Sequence, residues 1–243
     1  MRSFQILLSF IAAAAVSAKL ITETQVSGYW YENIKHGIGS STSGYRNVKN
    51  FGAKGDGVTD DSAAIQKAIN GGGSGIVYLP AGTYLVNSAI KNIQGVVIAG
   101  DPTNRPTIKA SASFKDAILL VGQDSRVAGL GAFYHGVRNL VLDSTTVPPT
   151  KTMTLLQFSV SQNSQLSNVM FDMPIGSSHV GVETGGQVMP LLMNELQFFG
   201  GAVGYQAVAL QVHLKNWYFK SKSFSTLGAR KLHKTLSDRL TCS

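Results

Sequence analysis

Four carboxylates carry most of the chemistry this sequence can offer: Asp143, Asp172, Glu183 and Glu195. Two carboxyl groups flanking a bond can divide the work of proton donor and base or nucleophile, which is how glycosidic bonds are hydrolysed. Asp143 and Asp172 close two similar segments, 137–143 and 166–172. They read in two ways, as a carboxylate pair on one side of a stack or as two aspartates that start turns. Glu183 ends the alternating run 179–183 and precedes Gly185 and Gly186, so space is expected beside it. It is the strongest single acid candidate. Glu195 stands where its counterparts are asparagine and reads as structural. His36, His135, His179, His213 and His233 show no ligand spacing, so no metal is expected. No nucleophile elbow or phosphate loop occurs, and no cofactor is expected.

A repeat places these acids. Residues 137–143 (VRNLVLD) resemble 166–172 (LSNVMFD), 193–199 (MNELQFF) and 214–220 (LKNWYFK). The anchors Asn139, Asn168, Glu195 and Asn216 are 29, 27 and 21 residues apart. Repeats of this length, each a short strand plus turns, mark a solenoid. One rung cannot bury its own apolar face, and stacking the rungs makes the core. The repeat predicts that Leu140, Val169, Leu196 and Trp217 stack in one column. It also predicts a ladder of side-chain amides running from anchor to anchor. An earlier rung is expected at 95–98, and 100–106 reads as a loop between rungs.

The start of the stack is equally patterned. Residues 48–51 alternate apolar and polar as a short strand does. Gly52, Gly55 and Gly57 then turn the chain, with Asp56 among them. Thr59, Asp60 and Asp61 precede Ala63, Ala64, Ile65, Ala68 and Ile69. That is a helix with an N-cap oxygen and acid in its first turn. The helix, 61–70, is expected to cover the open apolar end of the stack. Capping accounts for Asp56, Asp60 and Asp61 without a catalytic role. Strands at 76–79 and 83–86 follow, split by Pro80-Ala81-Gly82.

Composition agrees with a turn-rich all-β chain: 243 residues, 26 Gly and 14% charged residues. The single cysteine, Cys242, excludes a disulfide framework within the chain. Arg2, the apolar stretch 6–16 and Val16-Ser17-Ala18 form a secretion signal over 1–18, cut before Lys19. No run is long enough to span a bilayer, so an exported chain without a membrane partner is expected. Residues 19–43 read as an extended lead-in. Its Tyr29-Trp30-Tyr31 suits covering the side of the stack more than stacking on sugar rings. Net charge is +8, and the last 30 residues hold seven bases against one acid. The basic balance is thus a property of the tail, 221–243, and makes no case for a nucleic-acid partner. With no strand alternation, the tail is expected to leave the last rung, near 216–219, uncovered and prone to aggregate.

The run NVKNFGAKGDGVTDD (47–61), with AIQKAI (64–69) and VYLPAGTYLV (77–86), resembles the opening of pectate-lyase-like proteins. That resemblance implies a single-stranded, right-handed parallel β-helix over 44–220 with an N-terminal capping helix. YWYENIKHGIG (29–39), AGDPTNRPTIKASASF (99–114) and RNLVLDSTTVPP (138–149) narrow the resemblance. Together the motifs resemble the N-terminal half of secreted fungal exo-β-1,3-glucanases, glycoside hydrolase family 55, over about residues 28–220. The implied partner is β-glucan of the fungal cell wall, and the implied activity releases sugars from its chain ends. Such enzymes have two tandem β-helix domains, with the catalytic glutamate in the second. This chain resembles the first, and is expected to be incomplete and inert or nearly so alone. First domains lend polar side chains to the cleft between the two. Gln162 in VSQNSQLSN and Gln211 in LQVHLKN match glutamines of that type. They would orient a water or a sugar hydroxyl, or serve as plain rung residues. A pectin- or rhamnogalacturonan-active hydrolase or lyase, and a non-catalytic glucan-binding remnant, are the alternatives.

Overall fold

The computed structural model describes residues 44–127, 131–185, 191–207 and 212–220, with the backbone of 240–242. The expected signal, the lead-in and most of the basic tail lie outside the described residues. The chain divides into two units after His36, and everything below concerns the second.

The opening runs β1 (Tyr45–Asn47), a 3-10 turn (Val48–Phe51), β2 (Asp56–Asp60), α1 (Ser62–Asn70), β3 (Gly75–Leu79) and β4 (Thr83–Val86). Short strands follow: β5 (Ile90–Lys91), β6 (Val96–Gly100), β7 (Thr107–Ala110) and β8 (Ile118–Val121). Next come β9 (Gly136–Asp143), β10 (Thr154–Gln157), β11 (Gln165–Asp172), β12 (Val180–Thr184) and β13 (Leu191–Phe199). The last are β14 (Val203–Ala207), β15 (Val212–Lys215), β16 (Trp217–Lys220) and β17 (Leu240–Cys242). One sheet stacks β1-β3-β6-β9-β11-β13-β16-β17, with β2, β4, β7 and β15 paired alongside. The other stacks β5-β8-β10-β12-β14. Strands bond in parallel to their counterparts one turn on, for example β9 to β11 and β10 to β12. That winding is the all-β parallel β-helix expected, and parallel crossovers of this kind are right-handed.

β9, β11 and β13 are long because each bends at its anchor. Asn139, Asn168, Glu195 and Asn216 have φ of 57°, 52°, 56° and 53°. This left-handed region suits asparagine better than any other residue but glycine, which is why the repeat shows there. Asn168 Nδ2 donates to Asn139 Oδ1 at 2.9 Å. Arg105, from the loop before β7, donates through Nη1 to Asn168 Oδ1 at 3.1 Å. The amide ladder is therefore present between these two rungs.

Behind the anchors the core is layered. Val169 pairs with Leu140 and Leu196, and Trp217 continues that column. All four are buried. In the next layer Phe198 stacks on Phe171 at 4.8 Å and on Phe219 at 4.7 Å between centroids. Those distances match the spacing between strands, so each ring rests flat on the ring of the rung below. The opposite sheet leaves them room. A Cβ at Gly204 would stand 2.6 Å from Phe219, and one at Gly181 2.8 Å from Phe198.

Three local expectations differ from the structure. Residues 48–51 are a 3-10 turn, held by Lys49 N donating to Asn47 Oδ1 at 3.0 Å; the strand lies just before it. Asp61 occupies the N-cap position without capping the helix. Its carboxylate accepts instead from Lys54 N at 2.6 Å and Gly55 N at 2.9 Å. Asp60 takes over at the helix start, accepting from Ser62 N at 3.0 Å and Ser62 Oγ at 2.5 Å. These acids thus pin the glycine-rich loop, and α1 has no acid in its first turn. α1 still buries Ile65, Ala68 and Ile69 in one core with Val48 and Val77, the cover the stack needs. At the other end β17 pairs with β16, Leu240 beside Trp217. The stack continues where an uncovered rung was expected, through three residues, too few to show alternation.

Candidate functional site

The second sheet sets one residue of each rung in line. Register pairs Lys91 with Val121, Val121 with Gln157, Gln157 with Glu183, and Glu183 with Gln206. Strand spacing puts successive members about 4.8 Å apart. Gln157, Glu183 and Gln206 are all half-buried. Glu183 Oε2 accepts from Thr154 Oγ1 at 3.4 Å, a long bond that leaves most of the carboxylate's capacity unspent. An amide both donates and accepts, as a sugar hydroxyl does. A Gln–Glu–Gln line at rung spacing therefore offers a row of partners to a polyhydroxy ligand. Among the described residues it holds one carboxylate, where glycoside hydrolysis uses two.

Sequence reasoning found Glu183 and missed the glutamines on either side. TLLQ (154–157), VGVET (180–184) and VGYQA (203–207) do share a polar fourth residue. The strands are short and lack a special anchor, so nothing aligns them until the fold is known. Gln162 is exposed on the turn between β10 and β11, and its carbonyl accepts from Tyr134 N at 3.4 Å. Gln211 lies outside the described residues.

The other sheet brings Asp143 and Asp172 together as register partners. Lys109 comes before Asp143 in that column, its Nζ 3.0 Å from Asp143 Oδ2. Asp143 Oδ1 accepts from Thr145 N at 2.7 Å and Thr145 Oγ1 at 2.6 Å, so this aspartate does start a turn. Asp172 has no such partner. Burial first, and then the charge of Asp143, push its carboxyl above the usual range, against a smaller opposing effect of Lys109. Glu195 is exposed at its left-handed anchor.

Two histidines are core groups. His179 is fully buried, with Nδ1 2.9 Å from Ser144 Oγ and Nε2 3.3 Å from Pro148 O. Burial holds it below the ordinary imidazole range. His135 is buried with neither ring nitrogen hydrogen-bonded. Burial pushes it down to about 4, opposed in part by Asp124. Among the described residues no three His, Cys, Asp or Glu side chains gather as metal ligands.

A sequence profile described as rhamnogalacturonase A/epimerase, pectate lyase-like, matches residues 45–235. A protein of Arthroderma benhamiae named probable glucan endo-1,3-beta-glucosidase is 35% identical over 210 residues, 74% of this chain and 24% of that protein. A glucan 1,3-beta-glucosidase of Cochliobolus carbonum is 32% identical over 224 residues, 79% of this chain and 28% of that protein. The chain thus spans about a quarter of the length of these two relatives. Among solved structures, the A-module of the Azotobacter vinelandii mannuronan C-5 epimerase AlgE6 aligns over 74% of this chain and 57% of that one. Its identity is 21% and its TM-score 0.49.

Proposed function

The chain belongs to the rhamnogalacturonase A/epimerase, pectate lyase-like family, and from that premise we propose that it is a β-1,3-glucan-directed module. In this reading the polysaccharide lies along the Gln157–Glu183–Gln206 line, with Gln162 on the adjoining turn. The observation that carries the proposal is that line itself, one carboxylate set between two amides at rung spacing. The glucan relatives support the choice of sugar. Hydrolysis needs a second carboxyl across the glycosidic bond, and the amides cannot supply it. The chain alone therefore binds glucan and turns it over slowly or not at all, and in a full enzyme a further domain contributes the acid. The proposal includes export, on the pattern of Arg2, 6–16 and Val16-Ser17-Ala18.

The test is to incubate the full chain with laminarin, polygalacturonate and rhamnogalacturonan in parallel. Binding to laminarin with little product is expected. Unsaturated uronic products would replace the glucan reading with a pectin-lyase one. Rapid laminarin hydrolysis that Glu183→Gln abolishes would show that this chain carries its own acid. N-terminal sequencing of the secreted product, expected to begin at Lys19, tests export.

A further inference from the structure

Beside α1, at the Lys91 end of the register column that includes Glu183, lies a groove of ≈ 560 Å³, a volume in the range of small-ligand sites. Its lining includes Asn70 of α1, Ser88 and Lys91 around β5, and Asp116, Ser125 and Arg126 from the segments flanking β8. Gln66 explains why the space exists. Its side-chain amide donates to Lys91 O at 2.9 Å and accepts from Lys91 N at 2.9 Å. One side chain thus does for the edge strand β5 what a further strand would do, without filling the volume a strand would fill.

The groove walls are held in place. Asp116 Oδ2 accepts from Ala89 N at 2.7 Å. Asp124 Oδ2 accepts from Gln94 N at 3.1 Å, and Arg126 grips both oxygens of Asp124 at 2.9 and 2.7 Å. Among the described residues, Lys91 Nζ, the hydroxyls of Ser88 and Ser125, and Asp116 Oδ1 are not engaged. The lining holds two cationic and two anionic side chains and no aromatic one. Balanced charge does not favour a polyanion, and mixed donors and acceptors do not favour an apolar guest. They match a neutral ligand whose hydroxyls both donate and accept.

We propose that this groove is a second glycan-binding site, taking a neutral β-1,3-gluco-oligosaccharide. It shares one track with the Gln157–Glu183–Gln206 line. Lys91 and Glu183 belong to one register column, and three strand spacings separate them by about 14 Å. The proposal rests on the glucan reading and adds a length preference to it. A short sugar occupies one site, whereas a longer chain reaches both and gains by linkage.

Isothermal titration of the full chain with laminaribiose and laminarihexaose tests this. The hexaose should bind more tightly than the biose. Lys91→Ala with Ser125→Ala should weaken the hexaose about tenfold, the loss of roughly one charge-assisted contact, and leave the biose unchanged. Neither side chain holds another part of the fold. As a check independent of the variants, hydrogen exchange on the wild type should show hexaose protection at 89–93 and 124–126. Hexaose binding without that protection, or unaltered by the double substitution, overturns the groove and leaves the glucan reading standing. No binding of either sugar removes the glucan reading, and the groove with it.

Discussion

Glu183 and Asp172 occupy comparable places. Each is half-buried on a middle rung, with one column neighbour before it and one after. For Glu183 those neighbours are Gln157 and Gln206. For Asp172 they are Asp143 and Phe199. At a spacing of about 4.8 Å, the column neighbours decide what an acid can do. Two amides leave Glu183 open to a ligand. An aspartate on one side and a phenyl ring on the other leave Asp172 crowded by charge and short of water, and its carboxyl rises accordingly. Lys109, engaging Asp143 at 3.0 Å, is the charge that makes the second arrangement tolerable. We read the first column as a binding surface and the second as a turn whose charges are balanced.

Lys109→Met should break that balance and have the largest effect. Removing one partner of a buried pair leaves an uncompensated charge. The side chains here keep 27% and 11% exposure, so solvent offsets part of the cost and about 2 kcal/mol is expected at neutral pH. The loss should shrink as the pH falls through the raised carboxyl of Asp172, whose charge Lys109 helps to offset. Urea denaturation at neutral and acidic pH measures it. A loss that did not depend on pH would mean that Lys109 acts through packing.

The binding column should respond the other way, in affinity and not in stability. Gln157→Ala and Gln206→Ala should each weaken laminarin binding about fivefold, near 1 kcal/mol for one hydrogen bond, with stability within about 0.5 kcal/mol. Asp172→Asn should leave binding unchanged. If Asp172→Asn weakens binding and the glutamine variants do not, the roles of the two columns are exchanged.

Asp172→Asn should instead alter stability, by about 0.5 kcal/mol given its partial exposure. The sign follows from the raised carboxyl. Folding favours its protonated form, so ionising Asp172 at neutral pH opposes folding. The asparagine variant should be the more stable at pH 7. That advantage should fade as the pH falls through the raised carboxyl and be gone below the ordinary carboxylate range, where wild-type Asp172 is protonated both folded and unfolded. Thermal melts across that range would show the two curves converge.

The legible parts of this molecule are those that need a special residue. A left-handed bend at each rung restricts the choice of residue, so Asn139, Asn168 and Asn216 mark the winding in the sequence. The apolar layers on either side could then be counted off. Gln157 and Gln206 were not legible, because a half-buried strand position accepts many polar residues and leaves no spacing to detect. The aspartates around 56–61 misled in detail for a related reason. A carboxylate before a helix satisfies whichever backbone N–H the loop presents, and Gly55 turns the loop so that Asp61 meets Lys54 N and Gly55 N. Likewise the alternation of 48–51 is too short to tell a strand from a 3-10 turn.

Glu195 provides the smallest and sharpest test, because it is an acid that belongs to neither column. It stands exposed at φ 56° between Asn168 and Asn216 in the series of anchors. Left-handed backbone costs most L-residues about 1–2 kcal/mol, and asparagine less, because its short side chain bonds locally. Glu195→Asn should therefore stabilise the protein by about 0.5 kcal/mol. It should also extend the amide ladder that joins Asn139 to Asn168. Laminarin affinity should not change, because the bend lies on the other sheet from Glu183. Chemical denaturation and the laminarin titration, run on the same preparation, decide it. A gain in stability with unaltered affinity assigns Glu195 to the winding. Loss of affinity would make it a third functional acid, and the two-column division would have to be redrawn around it.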